Sequence, residues 1–250
     1  MNEPVIASSS KSGGFRETLK TIVYAVAIAL VVRTFAYEPF NIPSGSMKPT
    51  LLVGDYLFVS KFTYGYSKHS LPLSLPIFDG RVFATMPERG DVVVFKKPTD
   101  ESTDYIKRIV GLPGDKIQVI DGRLYINDRA VEVQSAGIFS EPEDPNQQEI
   151  PMYVEVLPNI RSHLILDMLP HGQFDNTRPF DVPDGHVFAM GDNRDNSADS
   201  RTRDVGFVPL ENIVGRAEII FFSVNGTAAL WEIWKWPWAI RYGRLLSPIK

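Results

Sequence analysis

The sequence predicts a mainly β protein: an antiparallel β domain interrupted by a β-rich insertion and preceded by one N-terminal transmembrane helix. Three observations carry this. One apolar run lies near the N-terminus, Thr21-Ile-Val-Tyr-Ala-Val-Ala-Ile-Ala-Leu-Val-Val32. Beyond it, apolar runs of strand length alternate with Gly-, Pro- and Asp-rich turns. No long amphipathic helix follows. With 250 residues, 44% of them hydrophobic, the chain can bury a core in one or two domains.

Residues 1–18 are polar and read as a tail on the cytoplasmic side. The apolar run extends to a span over residues 19–37, with Lys20 and Arg33 snorkelling at its ends. That gives roughly 28 Å of helix, just enough to cross a bilayer. A cleaved signal peptide is the rival reading, but no small-x-small cleavage site stands between Val32 and Glu38. Lys11, Arg16 and Lys20 precede the helix, so the positive-inside rule places residues 38–250 outside the cytoplasm, with Arg33 pulling the other way.

Strands are then expected at Tyr56–Phe62, Val92–Phe95 and Asp104–Val110, with an irregular loop over Tyr64–Pro87. Lys116–Ile120 and Arg123–Ile126 flank Asp121-Gly122, the strongest hairpin signal in the chain. Residues 131–184 change character, with polar, proline-rich loops and strand-like pieces at Tyr153–Leu157 and His163–Leu166, and read as an insertion. Val187–Met190 and Ala217–Val224 resume the buried-strand pattern, so residues 38–130 and 185–250 form the principal β domain.

Composition excludes several chemistries. A net charge of −4 gives no reason to expect nucleic acid as a partner. The absence of cysteine removes disulfides, thiolate metal sites and cysteine catalysis, and four histidines without HExxH argue against a zinc hydrolase. No metal and no cofactor are expected.

The stretch Asn41-Ile-Pro-Ser-Gly-Ser-Met-Lys-Pro-Thr50 could present a serine hydroxyl at a fixed angle, because Pro43 restrains the chain and Gly45 permits unusual dihedrals. It reads equally as a polar turn leaving the membrane. A serine nucleophile needs a base, and the four histidines share no pattern with it. A desolvated lysine can serve, because burial disfavours the ammonium. Lys107 lies between Ile106 and the Ile109-Val110 pair, with Tyr105 on its own face, although an edge-strand lysine in water fits the same pattern. In Gly191-Asp-Asn-Arg-Asp-Asn-Ser-Ala-Asp-Ser-Arg201 the carboxylates of Asp192, Asp195 and Asp199 can pair locally with Arg194 and Arg201. Arg194 stands where a calcium loop needs a ligand. Trp231, Trp234, Trp236 and Trp238 read either as core or as an interfacial patch on the lipid bilayer.

Taken in order, the membrane helix, Pro43-Ser-Gly-Ser-Met47, Arg89-Gly-Asp-Val-Val-Val-Phe95, Tyr105-Ile-Lys-Arg-Ile-Val-Gly-Leu-Pro-Gly-Asp115 and Gly191–Arg201 closely resemble bacterial signal peptidase I. The resemblance covers about residues 20–222, with 131–184 matching only as the variable second domain of such enzymes. Some Gram-negative members carry two membrane segments where this chain has one, a departure that touches the anchor and not the chemistry. The resemblance implies a serine–lysine dyad, with Ser46 as nucleophile and Lys107 as general base. It implies that Ser44 and the Ser46 N–H form the oxyanion hole, and that Ser197 orients the lysine with Asp199 and Arg201 in support. Phe40, Ile42 and Ile106 fall where the family builds shallow pockets for small side chains. The implied activity is removal of signal peptides from exported preproteins by a single-pass protein of the bacterial inner membrane, with its catalytic domain on the periplasmic side. A self-cleaving regulator with the same dyad, or an anchored β-domain that binds exported peptides without cutting them, are the alternatives.

Overall fold

A computed structural model describes residues 14–71, 74, 77–141, 149–158, 161–169, 171–227 and 232–250. Helix α1 spans Gly14–Phe35, reaches a mean hydropathy of 1.7 over 18 residues and buries none of its side chains against protein. It starts before the expected span and stops two residues short of its end, because Tyr37 already belongs to a strand. Residues 1–13 of the expected tail lie outside the described residues.

The strands are β1 (Tyr37–Asn41), β2 (Asp55–Ser60), β3 (Val92–Lys96), β4 (Asp104–Gly111), β5 (Lys116–Ile120), β6 (Arg123–Ile126), β7 (Arg129–Ala130), β8 (Glu132–Phe139), β9 (Ile150–Val156), β10 (Ser162–Leu166), β11 (Phe180–Asp181), β12 (His186–Met190), β13 (Val208–Pro209), β14 (Ile213–Ser223) and β15 (Ser247–Pro248). The largest sheet runs β1-β2-β14-β3-β4-β12-β13, antiparallel throughout, with β15 also on β14. A second sheet, β10-β9-β8, lies within the expected insertion, and a third joins β11-β5-β6-β7. Asp121 and Gly122 both take positive φ, 48° and 75°, as a tight two-residue hairpin between β5 and β6 requires.

Several strands differ from expectation, and two of the differences shape the main sheet. β1 follows α1 with only Ala36 between them, whereas the sequence reads through Tyr37 as helix. β14 begins at Ile213 rather than Ala217, because its first residues pair with β3 before the strand shifts register to continue on β2. That shift lets one strand bridge both halves of the sheet.

Three groups of buried side chains hold the molecule together. Ile42, Met47, Leu51, Leu57, Val59 and Val94 lie under the Ser46 turn. Val110, Ile117, Leu124, Phe188 and Met190 join the β5–β6 hairpin to β4 and β12. Val93, Phe95, Ile109, Ala189 and Ile213 fill the other side of the main sheet. Tyr105 packs with this last group and Ile106 with the first, the alternation expected along β4.

Candidate active site

Ser46 lies on a turn anchored from below. Met47 and Leu51 are fully buried, and Leu51 N–H donates to Met47 O at 2.9 Å. Each buried side chain contributes roughly 1.5–3 kcal/mol to holding the turn on the sheet. From the side, the Asn193 amide donates to Gly45 O at 3.0 Å and the Asn193 N–H to Ser46 O at 3.1 Å. Gly191 makes this approach possible, because a Cβ there would stand 2.5 Å from Ser46 O and 2.2 Å from Ser197 Oγ. The turn is therefore clasped by the Gly191–Arg201 loop.

Lys107, on β4, places Nζ 2.7 Å from Ser46 Oγ and 2.8 Å from Ile106 O. It is 3% exposed, and Ser46 is 8% exposed. Burial pulls the lysine pKa down from 10.5 to about 8; Asp199 and Asp192 push it back up, while Arg201 helps lower it. Among the described residues no carboxylate pairs with the ammonium, and the two acids whose charges act on it are held by arginines. Asp199 is chelated by Arg201 at 2.9 and 2.8 Å and accepts from Gly191 N–H at 3.0 Å. Asp192 is chelated by Arg108 at 2.8 and 2.7 Å and accepts from Thr50 Oγ1 at 2.6 Å. Both carboxylates stay below their ordinary pKa despite burial, because of these guanidinium contacts.

Ser44 Oγ lies 3.5 Å from Ser46 Oγ. A cavity of about 500 Å³ opens over the dyad, and its walls include Phe40, Ile42, Ser44, Ile106, Asn196 and Ala198. The residues singled out as nucleophile, base, hydroxyl donor and apolar wall thus share one cleft. Ser197 is buried beside Gly191, with its hydroxyl unpartnered, and makes no hydrogen bond to Lys107.

The structure redraws the local charge pairing expected within Gly191–Arg201. Only Asp199 with Arg201 pairs inside the loop. Asp192 reaches Arg108 on β4, and Arg194 is chelated by the fully buried Glu155 of β9 at 2.9 and 2.5 Å. Asp195 accepts the backbone N–H groups of Met168 and Leu169 at 2.7 and 2.9 Å. Arg108, Asn193, Thr50 and Glu155 are supporting residues that sequence reasoning did not assign. Arg108 had a signal, since a charged residue directly before Ile109 and Val110 in a buried-strand pattern needs a buried partner.

The tryptophans divide. Trp234 and Trp238 are exposed, at 64% and 80%, whereas Trp236 packs on Phe222 with ring centroids 5.1 Å apart; Trp231 lies outside the described residues. Trp236 opens the short helix α2 (Trp236–Ala239).

Residues 15–222 match the profile of the family described as signal peptidase, peptidase S26. The chain is similar to signal peptidase I of Rickettsia typhi, 44% identical over 220 residues, covering 85% of this chain and 82% of the relative. Signal peptidase I of Rickettsia canadensis is 45% identical over 216 residues, covering 83% and 80%. That of Rickettsia conorii is 44% identical over 215 residues, covering 83% and 79%. A buried serine and lysine in contact, a turn clasped by Gly191–Arg201 and a match over most of the length agree, and the chain belongs to the signal peptidase, peptidase S26, family.

Proposed function

We propose that this protein is a membrane-anchored serine endopeptidase that removes signal peptides from exported preproteins after small residues. The observation that carries the chemistry is the 2.7 Å contact between Ser46 Oγ and a buried Lys107 Nζ whose pKa is lowered to about 8. In its neutral form Lys107 takes the Ser46 proton as Oγ attacks the scissile carbonyl, and returns it to the leaving amine. The Ser46 N–H and the Ser44 hydroxyl receive the developing oxyanion. Water, activated by the same amine, then hydrolyses the acyl-enzyme. Asp199 with Arg201 shapes the field around the amine, and Ser197, buried beside Gly191, is assigned to orienting the amine by the family resemblance alone.

Phe40, Ile42 and Ile106 line the cleft and favour small side chains by excluding large ones, since an alanine offers little binding energy of its own. β1 is the terminal strand of the main sheet, and its outer edge, which pairs with no strand among the described residues, suits an extended peptide. Helix α1 is the anchor of a single-pass protein, with residues 1–18 cytoplasmic and the β domains on the outer face of the bacterial inner membrane. That orientation rests on Lys11, Arg16 and Lys20 before the apolar run against Arg33 at its far end, where Glu38 pairs with both Arg33 and Lys61. Residues 38–130 with 185–250 form the catalytic unit, and 131–184 the second domain. Exposed Trp234 and Trp238 extend the lipid contact.

The test is cleavage of a purified preprotein by the detergent-solubilised chain, read on a gel. The unaltered protein releases the mature product, and Ser46→Ala does not while remaining folded. Cleavage by Ser46→Ala at an undiminished rate would refute the assignment.

A further inference from the structure

The Ser46 turn is held from below by Met47 and Leu51 and from one side by Asn193. A further contact, which the mechanism above does not use, holds it from elsewhere. Lys48, two residues after the nucleophile, lays its side chain along Gly45: a Cβ on Gly45 would stand 3.2 Å from Lys48 Cε and 3.4 Å from Cδ. The Lys48 ammonium forms an ion pair with Glu141 Oε2, just beyond the end of β8 and 93 residues away in sequence. The other oxygen of that carboxylate faces Arg241 Nη2 at 3.4 Å. Arg241 also donates to Val53 O at 2.8 Å, and its N–H to Ser223 O at 3.0 Å. The Glu141 side chain is 11% exposed, so it is withdrawn from water and held from two directions.

We propose that Glu141 is a positioning residue for the Ser46 turn, and that through it the insertion and the C-terminal segment bearing Trp234 and Trp238 hold the nucleophile in register. The inference rests on the reading of Ser46 as nucleophile. The physical argument starts from the turn itself. Ser46 sits on no strand, and its neighbour Gly45 has the widest backbone freedom of any residue. Attack on a carbonyl tolerates little misplacement, and a shift of 1 Å costs on the order of 10²-fold in rate. The Lys48 side chain restrains Gly45 only while its flexible end is fixed, because an unpaired ammonium is drawn to bulk water. Glu141 fixes that end, and Arg241 fixes Glu141.

The experiment measures kcat and KM of the full-length, detergent-solubilised protein on a short alanine-containing peptide across pH 7 to 10. The variants are Glu141→Gln, Lys48→Met and the pair together, with melting temperatures recorded alongside. Each single variant is expected to lower kcat about tenfold, with KM within about twofold. The pair should be no worse than either single change, since both break one contact. The midpoint of the pH profile should stay in place. A purely electrostatic influence on Lys107 would instead move that midpoint in opposite directions for the two single variants, since one removes an anion and the other a cation. Opposite shifts, losses in kcat that add, or an unaltered kcat in Glu141→Gln would each overturn the clamp. Should Glu141→Gln lower the melting temperature, Glu141→Asp keeps the charge and shortens its reach. A loss in kcat for Glu141→Asp at an unchanged melting temperature then supports the clamp, and an unaltered kcat refutes it. Ser46→Ala in the same assay separates the two ideas. Unaltered rates for the clamp variants beside an inactive Ser46→Ala overturn the clamp alone, whereas an active Ser46→Ala overturns the clamp and the site together.

Discussion

Replacing Lys107 by methionine removes the amine while keeping an unbranched side chain in the same space. Lys107 is 3% exposed, and its pKa falls from 10.5 to about 8, chiefly through burial. A base whose native pKa is depressed opposes folding below that pKa, because the folded state must then hold a buried charge that the unfolded chain leaves in water. At pH 7 the opposition is about 3 kcal/mol, from about 1.4 kcal/mol per pKa unit. Two hydrogen bonds from Nζ, to Ser46 Oγ and Ile106 O, act the other way. They contribute about 1 kcal/mol each. Lys107→Met is therefore expected to be inactive yet about 1 kcal/mol more stable than the unaltered chain at pH 7. Between pH about 8 and 10.5 the unfolded chain binds more protons than the folded one, so the unaltered protein gains stability as pH rises. The two melting curves should cross near about pH 9, and the variant should be the less stable above it. Thermal melts of the full chain in detergent at pH 6.5, 8, 9 and 10 read this directly, since 1 kcal/mol shifts Tm by about 2–4 °C at this size. A variant destabilised equally at pH 6.5 and pH 10 would refute the account of Lys107 as a base whose pKa is lowered by burial.

Other perturbations test separate parts of the molecule. Ser44→Ala should lower kcat by about 10²–10³-fold with little change in KM, because it removes one oxyanion donor; steady-state kinetics on a peptide substrate would show it. Asp167 has its pKa raised to about 6, first by burial and then by Asp195 and Asp175, so it disfavours the folded state increasingly as pH rises through about 4 to 6. Asp167→Asn should therefore raise Tm at pH 8 and do so much less at pH 4.5, measured by thermal melts. Trp234→Ala with Trp238→Ala should weaken binding to phospholipid vesicles when α1 is removed, while cleavage of a soluble peptide in detergent persists; a flotation assay measures the first and peptide turnover the second.

The parts of the site legible in the sequence are those that local pattern encodes. Local pattern makes Ser46 and Lys107 candidates only, since each also fits a bland reading, and it is the ordered run of motifs resembling signal peptidase I that singles them out. The supporting contacts are not local. Arg108 meets Asp192 across 84 residues, Arg194 meets Glu155 across 39 and Lys48 meets Glu141 across 93. Nothing in the periodicity of either partner names the other, so reading Gly191–Arg201 alone pairs its charges with each other. β1 is hidden for a different reason. Tyr37, Glu38 and Pro39 carry no alternation, and the strand exists because the edge of β2 is there to receive it. β8 is likewise masked by its polar residues and by Gly137 at a register shift, and forms on β9.

Helix α1 and strand β1 are joined by Ala36 alone, and two hydrogen bonds tie the joint to the β domain. The Lys61 N–H donates to Ala36 O at 2.9 Å, and the Tyr66 hydroxyl donates to Phe35 O at 2.8 Å. With α1 as the proposed anchor, Phe40 and Ile42 on the wall of the cleft stand a short count of extended residues beyond the end of that helix, about 15–25 Å at roughly 3.3 Å per residue. On that reading the cleft is mounted on a ruler whose zero is the membrane surface, and the expected consequence is that a bond reaches Ser46 only if its own tether to the bilayer has a matching length. Inserting three glycines after Ala36 would slacken the ruler without touching the blade: a free peptide would be cut as before, while cleavage sites at the wrong distance from a membrane-spanning segment would begin to be accepted.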